Sequence, residues 1–136
     1  VLSFSGIAHV ALVVRDMARS VDWYERVLGF ERHGEVRPGP PEAGHPRQLM
    51  RHPDSGLVLG IHEPLDRSDD TFDPSRAGLD HLALAAPDRG ALEEWSARLD
   101  ELKVAHSPVR DIGYARFVSV FDPDGIQWEL WAAASR

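Results

Sequence analysis

"GIAHVALVVRD" (residues 6–16) and "GLDHLALAAPD" (residues 78–88) say nearly the same thing twice in one short chain, each time with one histidine in an apolar run. Laid over one another at an offset of 72, residues 6–26 and 78–98 agree at seven of 21 positions. These are Gly6/Gly78, His9/His81, Ala11/Ala83, Leu12/Leu84, Asp16/Asp88, Trp23/Trp95 and Arg26/Arg98. The paired tryptophans weigh most, because the chain has only four. The ends of the halves match too. "HPDSGLVLGIHEP" (52–64) closes the first and "FDPDGIQWELWAA" (121–133) closes the second, with Ser55 as one extra residue. This is a repeat of two units, too few for a solenoid.

Each unit reads in the same order. A strand comes first, Ile7–Val14 and Leu79–Ala86. An Asp follows, Asp16 or Asp88, placed to cap a helix. The helix is amphipathic: Met17, Val21, Tyr24 and Leu28 share one face in the first unit, and Leu92, Trp95, Leu99 and Leu102 in the second. Gly29 is the expected stop of the first helix. Three extended runs complete each unit, in the second about His106–Arg110, Ala115–Phe121 and Ile126–Ala132. Pro53–Gly56 and Pro123–Gly125 read as tight turns before the last strands. The expected class is therefore α+β, with two tandem βαβββ modules. Module one spans about 5–62, a linker about 63–77 and module two about 78–133, all within one domain, residues 1–136. The Pro- and Gly-rich stretch 37–46 reads as a loop.

Composition narrows the function. The chain has 136 residues, 43% of them apolar and 27% charged, which suits one ordinary folded domain. Net charge is −7. No basic stripe exists to hold phosphates, so nucleic acid is not an expected partner. No apolar run reaches the length of a membrane helix, and no membrane association is expected. Cysteine is absent, which excludes disulfides and thiolate metal sites. No signal-peptide pattern opens the sequence, so a cytoplasmic protein is expected. The five acids of "EPLDRSDDTFD" (63–73) read as a solvated linker, or else as an attraction for a cationic ligand.

The strands expose chemistry on one face. Side chains alternate, so Val10, Leu12 and Val14 would pack on the helix while His9, Ala11 and Val13 face away. In the repeat, His81, Ala83 and Ala85 face away. On the last strand Gln127, Glu129 and Trp131 share a face. A single His on an apolar strand is more often a hydrogen-bonded core residue. A Glu between two tryptophans is odder, since a buried carboxylate is costly without a partner. Two histidines at equivalent repeat positions and one carboxylate would make a facial triad, which binds a divalent ion and leaves positions open for substrate.

With these residues in view, the sequence resembles the vicinal oxygen chelate superfamily, also called the glyoxalase/bleomycin resistance/dioxygenase group. "GIAHVALVVRDMARSVDWYERVLGFE" resembles its opening strand and helix, and "FDPDGIQWEL" its closing turn and metal-ligand strand. The resemblance implies paired modules with curved mixed sheets forming a cup-like cavity, and ligands drawn from the first and last strand of each module. His9, His81 and Glu129 fill three of those four positions. Gly60 stands at the fourth, which departs from the four-ligand glyoxalase I pattern. Three-ligand members place a Tyr ten residues before the Glu; here that residue is Ser119. His62, two residues beyond Gly60, is a displaced fourth ligand, an acid–base group or a polar strand end. Gln48, Tyr114, Arg116, Ser119 and Trp131 are candidate substrate-binding residues.

The implied function is a metal-dependent enzyme acting on a small oxygen-bearing substrate by dioxygenase, lyase or isomerase chemistry. His62 is its candidate catalytic group, and the divalent ion is Fe, Mn, Zn, Ni or Co. The alternative is a small-molecule-binding resistance protein without chemistry, for which the four tryptophans offer stacking surfaces. A homodimer is the assembly the family implies.

Overall fold

The computed structural model describes residues 2–38, 45–66 and 69–134. The chain divides into two compact units, Val1–Asp70 and Thr71–Arg136. The first holds β1 (Val10–Val13), α1 (Met17–Arg26), β2 (Glu31–Arg32), β3 (Arg47–Arg51) and β4 (Val58–His62). The second holds β5 (His81–Ala85), α2 (Arg89–Glu101), β6 (Arg110–Asp111), β7 (Ala115–Phe121) and β8 (Gln127–Ala133). Each forms a four-stranded sheet, ordered β1-β4-β3-β2 and β5-β8-β7-β6. In both, the first strand pairs parallel with the last and the other pairs are antiparallel. The α+β class and the two βαβββ modules are thus present, with the sequence repeat reproduced strand for strand. Among the described residues, no helix is long and apolar enough to cross a membrane.

Local chemistry explains the elements. The Asp16 carboxylate accepts from the Arg19 N–H at 3.1 Å, and Asp88 accepts from Ala91 at 2.9 Å. Both therefore satisfy amides that a helix start leaves unpaired. Gly29, at φ 78°, turns the chain after α1 so that the Phe30 N–H reaches the Tyr24 carbonyl at 3.1 Å. The expected turns are closed by Gly56 donating to His52 and Gly125 donating to Asp122. In the first unit Leu12, Val14, Tyr24, Leu28, Met50, Leu59 and Ile61 are buried; in the second Leu92, Leu99, Val118, Trp128 and Leu130 are.

Several boundaries differ from expectation. The first strands begin later than Ile7 and Leu79, at Val10 and His81. Gly6, at φ 132°, leaves the extended conformation just upstream of the first. His106–Arg110 is not a continuous strand: His106 makes a single bridge to Val120, and β6 is two residues long. Pro108 lies between them and has no N–H to donate. Of the expected loop 37–46, residues 39–44 lie outside the described residues, and Arg37 and Arg47 close it through paired backbone hydrogen bonds.

The expected linker 63–77, of which 67 and 68 lie outside the described residues, is anchored at both ends. The Glu63 carboxylate accepts from the Met17 N–H at 2.7 Å, placing a negative charge at the start of α1. The Phe72 N–H donates to the Asp124 carbonyl at 2.9 Å. At least one acid of the 63–73 run is therefore a helix cap rather than a solvated charge.

Candidate functional site

The parallel pairing of β5 with β8 sets Ala83 opposite Glu129 and His81 opposite Gln127. Ala83 is small, so the longer side chains on either side of it share its space. His81 Nε2 lies 3.4 Å from Glu129 Oε2. Glu129 is buried, at 5% exposure, whereas the His81 side chain is 37% exposed. The imidazole thus stands between the carboxylate and the open side of the sheet.

On its other nitrogen, Nδ1, His81 contacts the Asp80 carboxylate at 2.6 Å. A carboxylate only accepts, so Nδ1 carries a proton. Nε2 meets an oxygen of the buried Glu129 carboxylate. Two acceptors at this distance repel unless a proton or a cation lies with them. Donors about 2.0–2.2 Å from one ion stand about 2.8–3.1 Å apart in octahedral and about 3.3–3.6 Å apart in tetrahedral geometry. The pair therefore fits joint coordination of a divalent ion, and Asp80 fits the carboxylate that commonly orients a metal-binding histidine from behind. The other Glu129 oxygen accepts from Gln127 Nε2 at 3.2 Å, and the same amide donates to Ser119 Oγ at 3.3 Å.

His9, the third expected ligand, lies in the first unit, exposed and one residue ahead of β1. Among the described residues, no three His, Asp or Glu side chains gather into a group that could hold a metal.

Gly60 occupies in β4 the place that Glu129 occupies in β8, opposite Ala11. A Cβ there would lie 3.0 Å from His62 Nε2 and 3.6 Å from the Ala11 methyl. The His62 imidazole thus folds back over the glycine into the space a side chain at position 60 would take. Burial, then the nearby positive charge of Arg47 and the neighbouring His45 and His9, lower its pKa below the ordinary histidine value. The His45 ring lies 6.5 Å from that of His62. His62 is therefore an imidazole kept neutral on the sheet face, suited to accept a proton.

The other expected site residues separate by face. Ser119 pairs with Glu129, and Trp131 lies two residues beyond Glu129 on the same side. Trp131 stacks on Phe117 at 5.8 Å and 16°, and Tyr114, 71% exposed, lies 6.1 Å from it. Ser119 thus lies beside Glu129, Trp131 lies further along the same face of β8, and Tyr114 lies beyond Trp131. Arg116 does not share that face: it alternates with Phe117 and Ser119, and its guanidinium is neutralised by Asp111 at 2.9 Å. Gln48 also points elsewhere. It shares the buried, helix-facing side of β3 with Met50, and its amide donates to the Gly34 and Leu49 carbonyls. Asp80 and Gln127 had no role in the sequence reading. Their positions beside His81 and Glu129 were the available signal.

The comparisons with known proteins agree with this architecture. The family model for the Glyoxalase/Bleomycin resistance protein/Dioxygenase superfamily matches residues 6–130. The chain belongs to that superfamily. A glyoxylase/bleomycin resistance protein/dioxygenase domain from Frankia sp. EAN1pec shares 27% identity and superposes with a TM-score of 0.86, over 98% of this chain and 95% of that one. A glyoxalase family protein from Enterococcus faecalis shares 27% identity with a TM-score of 0.75, over 94% and 98%. The fosfomycin resistance protein FosX of Listeria monocytogenes, solved with Mn(II) and sulfate, has the same fold at 19% identity and a TM-score of 0.69, over 97% and 95%. A search of curated proteins finds no match to the chain.

Proposed function

We propose that this protein is a divalent-metal-dependent enzyme acting on a small oxygen-bearing substrate by dioxygenase, lyase or isomerase chemistry. The observation that carries this reading is the facing pair His81 Nε2 and Glu129 Oε2, with Asp80 behind the imidazole. His81 and Glu129 supply two donors and His9 the third. FosX, with its Mn(II), supports the choice of a divalent ion. When bound, such an ion supplies Lewis acidity toward a substrate oxygen.

The chain's own residues do the rest. Asp80 holds the His81 proton on Nδ1. Gln127 holds Glu129 by one oxygen and leaves the other toward His81. His62, neutral near pH 7, accepts or returns the substrate proton. Trp131 and Phe117 offer a flat apolar wall beside the pair. That wall also favours the second reading, capture of an aromatic small molecule without chemistry.

The test is metal content. Protein purified anaerobically without chelator should carry about one divalent ion per three-donor site, and Glu129→Gln should lose it. Full occupancy in Glu129→Gln removes the carboxylate from the site, and tight metal-independent binding of aromatic drugs by the wild type favours capture.

A further inference from the structure

Ser119, opposite Glu129 on the sheet, borders a pocket. A cavity of about 330 Å³ opens beside it, lined by His106, Ser107, Arg110, Ser119, Phe121 and Gln127. That volume lies within the range of small-molecule sites, roughly 300–1,000 Å³. Arg110 pairs with Phe117 across β6 and β7, which puts it on the same sheet face as Ser119 and Glu129.

The polar groups of this pocket are asymmetric. No carboxylate lines it among the described residues. The Arg110 guanidinium has no carboxylate partner there, whereas Arg116 on the opposite face is neutralised by Asp111. Ser119 Oγ accepts from Gln127, so its own proton is free to be donated. The Gln127 amide spends both N–H groups on Ser119 and Glu129. Ser107 Oγ is occupied between the Pro108 carbonyl and the Ser119 N–H. His106 turns its ring away to Asp100 on α2. What remains is one unpaired cation and one unpaired O–H donor in a depression beside the His81–Glu129 pair. The net charge of −7 does not cancel this, since charges beyond roughly 8 Å are largely screened at physiological ionic strength.

We propose that this pocket binds an acidic group of the substrate, a carboxylate or a phosphoryl, with Arg110 as its counter-charge and Ser119 as its hydrogen-bond donor. The inference rests on the proposed enzyme reading only in treating the bound molecule as substrate. It makes Arg110 and Ser119 specificity-determining residues. A carboxylate or phosphate oxygen accepts both the charged N–H groups of arginine and the serine O–H. A tyrosine at position 119 would fill the space and exclude the group.

The test is an NMR titration of the full, metal-free chain with phosphate and, separately, with acetate, at constant ionic strength. Wild type should show saturable shifts at Ser119, Gln127 and the Arg110 side chain, and the stronger anion identifies the phosphoryl or carboxylate source. Arg110→Gln should weaken binding at least about tenfold, Arg110→Lys should restore part of it, and Ser119→Tyr should abolish it. Saturation unchanged in Arg110→Gln, or absent from wild type for both anions, overturns the proposal. Metal binding is measured separately on the same proteins. Anion saturation without a metal site leaves this inference standing and sinks the enzyme reading; a metal site without anion saturation does the reverse.

Discussion

Module one carries Gly60 where module two carries Glu129, and much of the difference between the two halves follows from that exchange. Their strand orders are the same, their helices start on the same aspartate, and their first strands carry the same histidine. In module two the last strand brings a buried carboxylate to within 3.4 Å of the imidazole on the neighbouring strand. In module one the corresponding space is taken by His62, whose ring covers the glycine. Duplication supplied two equal frameworks. One carries a carboxylate at this place, and the other a glycine covered by an imidazole. The two modules therefore present different chemistry on the same framework, a buried carboxylate beside an imidazole in one and an imidazole over a glycine in the other.

The sharpest way to break this comparison is to loosen the histidine of module two alone. Asp80→Asn keeps the shape but no longer demands that Nδ1 carry the proton. Metal affinity should fall about 10- to 100-fold, as for other residues that orient a ligand. Isothermal titration with the divalent ion measures it. An affinity equal to that of wild type would show that Asp80 orients nothing.

The modules should also answer pH in opposite senses. His62 has a lowered folded-state pKa, from burial first and then from Arg47 and its histidine neighbours. The unfolded chain therefore binds its proton more readily. The associated stability is present above the ordinary histidine value of about 6.5 and is lost as pH falls below it. His106 in module two differs. Burial alone would lower its pKa, but the hydrogen bonds to Asp100 at 2.8 Å and to the Ser107 carbonyl outweigh this and raise it. Its stabilisation is full below about 6.5 and is lost as pH rises through the folded value. Denaturant unfolding between pH 5 and 8 should show His62→Gln flattening the acid side of the profile and His106→Gln the alkaline side. The same slope in all three proteins would refute both assignments.

A third test converts the glycine. In Gly60→Ala the new methyl meets the far end of a flexible side chain, His62 Nε2 at 3.0 Å, rather than backbone. Stability should change by less than about 1 kcal/mol. The ring must swing outward, and its titration midpoint should move back toward the ordinary value as burial decreases. Unchanged ring resonances in NMR would mean that His62 does not lie over Gly60.

Much of this architecture was legible in the sequence because it depends on local rules applied twice. The Asp caps, the glycine turns and the alternation of His81 with Ala83 need only spacing. Other features were hidden for identifiable reasons. "RQLMR" (47–51) sets two apolar residues side by side, so alternation does not say whether Gln48 faces the helix or the open side. Arg116 and Phe117 pose the same ambiguity at the start of β7. Asp80 reads as a polar strand entrance until its carboxylate is seen on Nδ1. Glu63 caps a helix that begins 46 residues earlier, a contact that no local pattern announces. Arg110 closes the expected run His106–Arg110, and its spacing cannot show that it lacks a carboxylate partner.

The smallest difference between the modules lies where their helices end. After α1 the left-handed position is Gly29, at φ 78°; after α2 it is Lys103, at φ 57°. The second end is a capped turn of the usual kind, with Val104 donating to the Leu99 carbonyl at 2.9 Å, so the conformation is required. A side chain in that region costs about 1–2 kcal/mol, because its Cβ crowds the following carbonyl. Glycine removes that strain but has more freedom to lose on folding, roughly 0.5–1 kcal/mol. Lys103→Gly should therefore stabilise the protein by about 0.5–1 kcal/mol in denaturant unfolding. Gly29→Lys should destabilise it by about the same amount, making each module's helix end resemble the other's. If Lys103→Gly destabilises instead, the lysine side chain contributes a contact that outweighs its backbone strain, and the two helix ends are not equivalent solutions to the same turn.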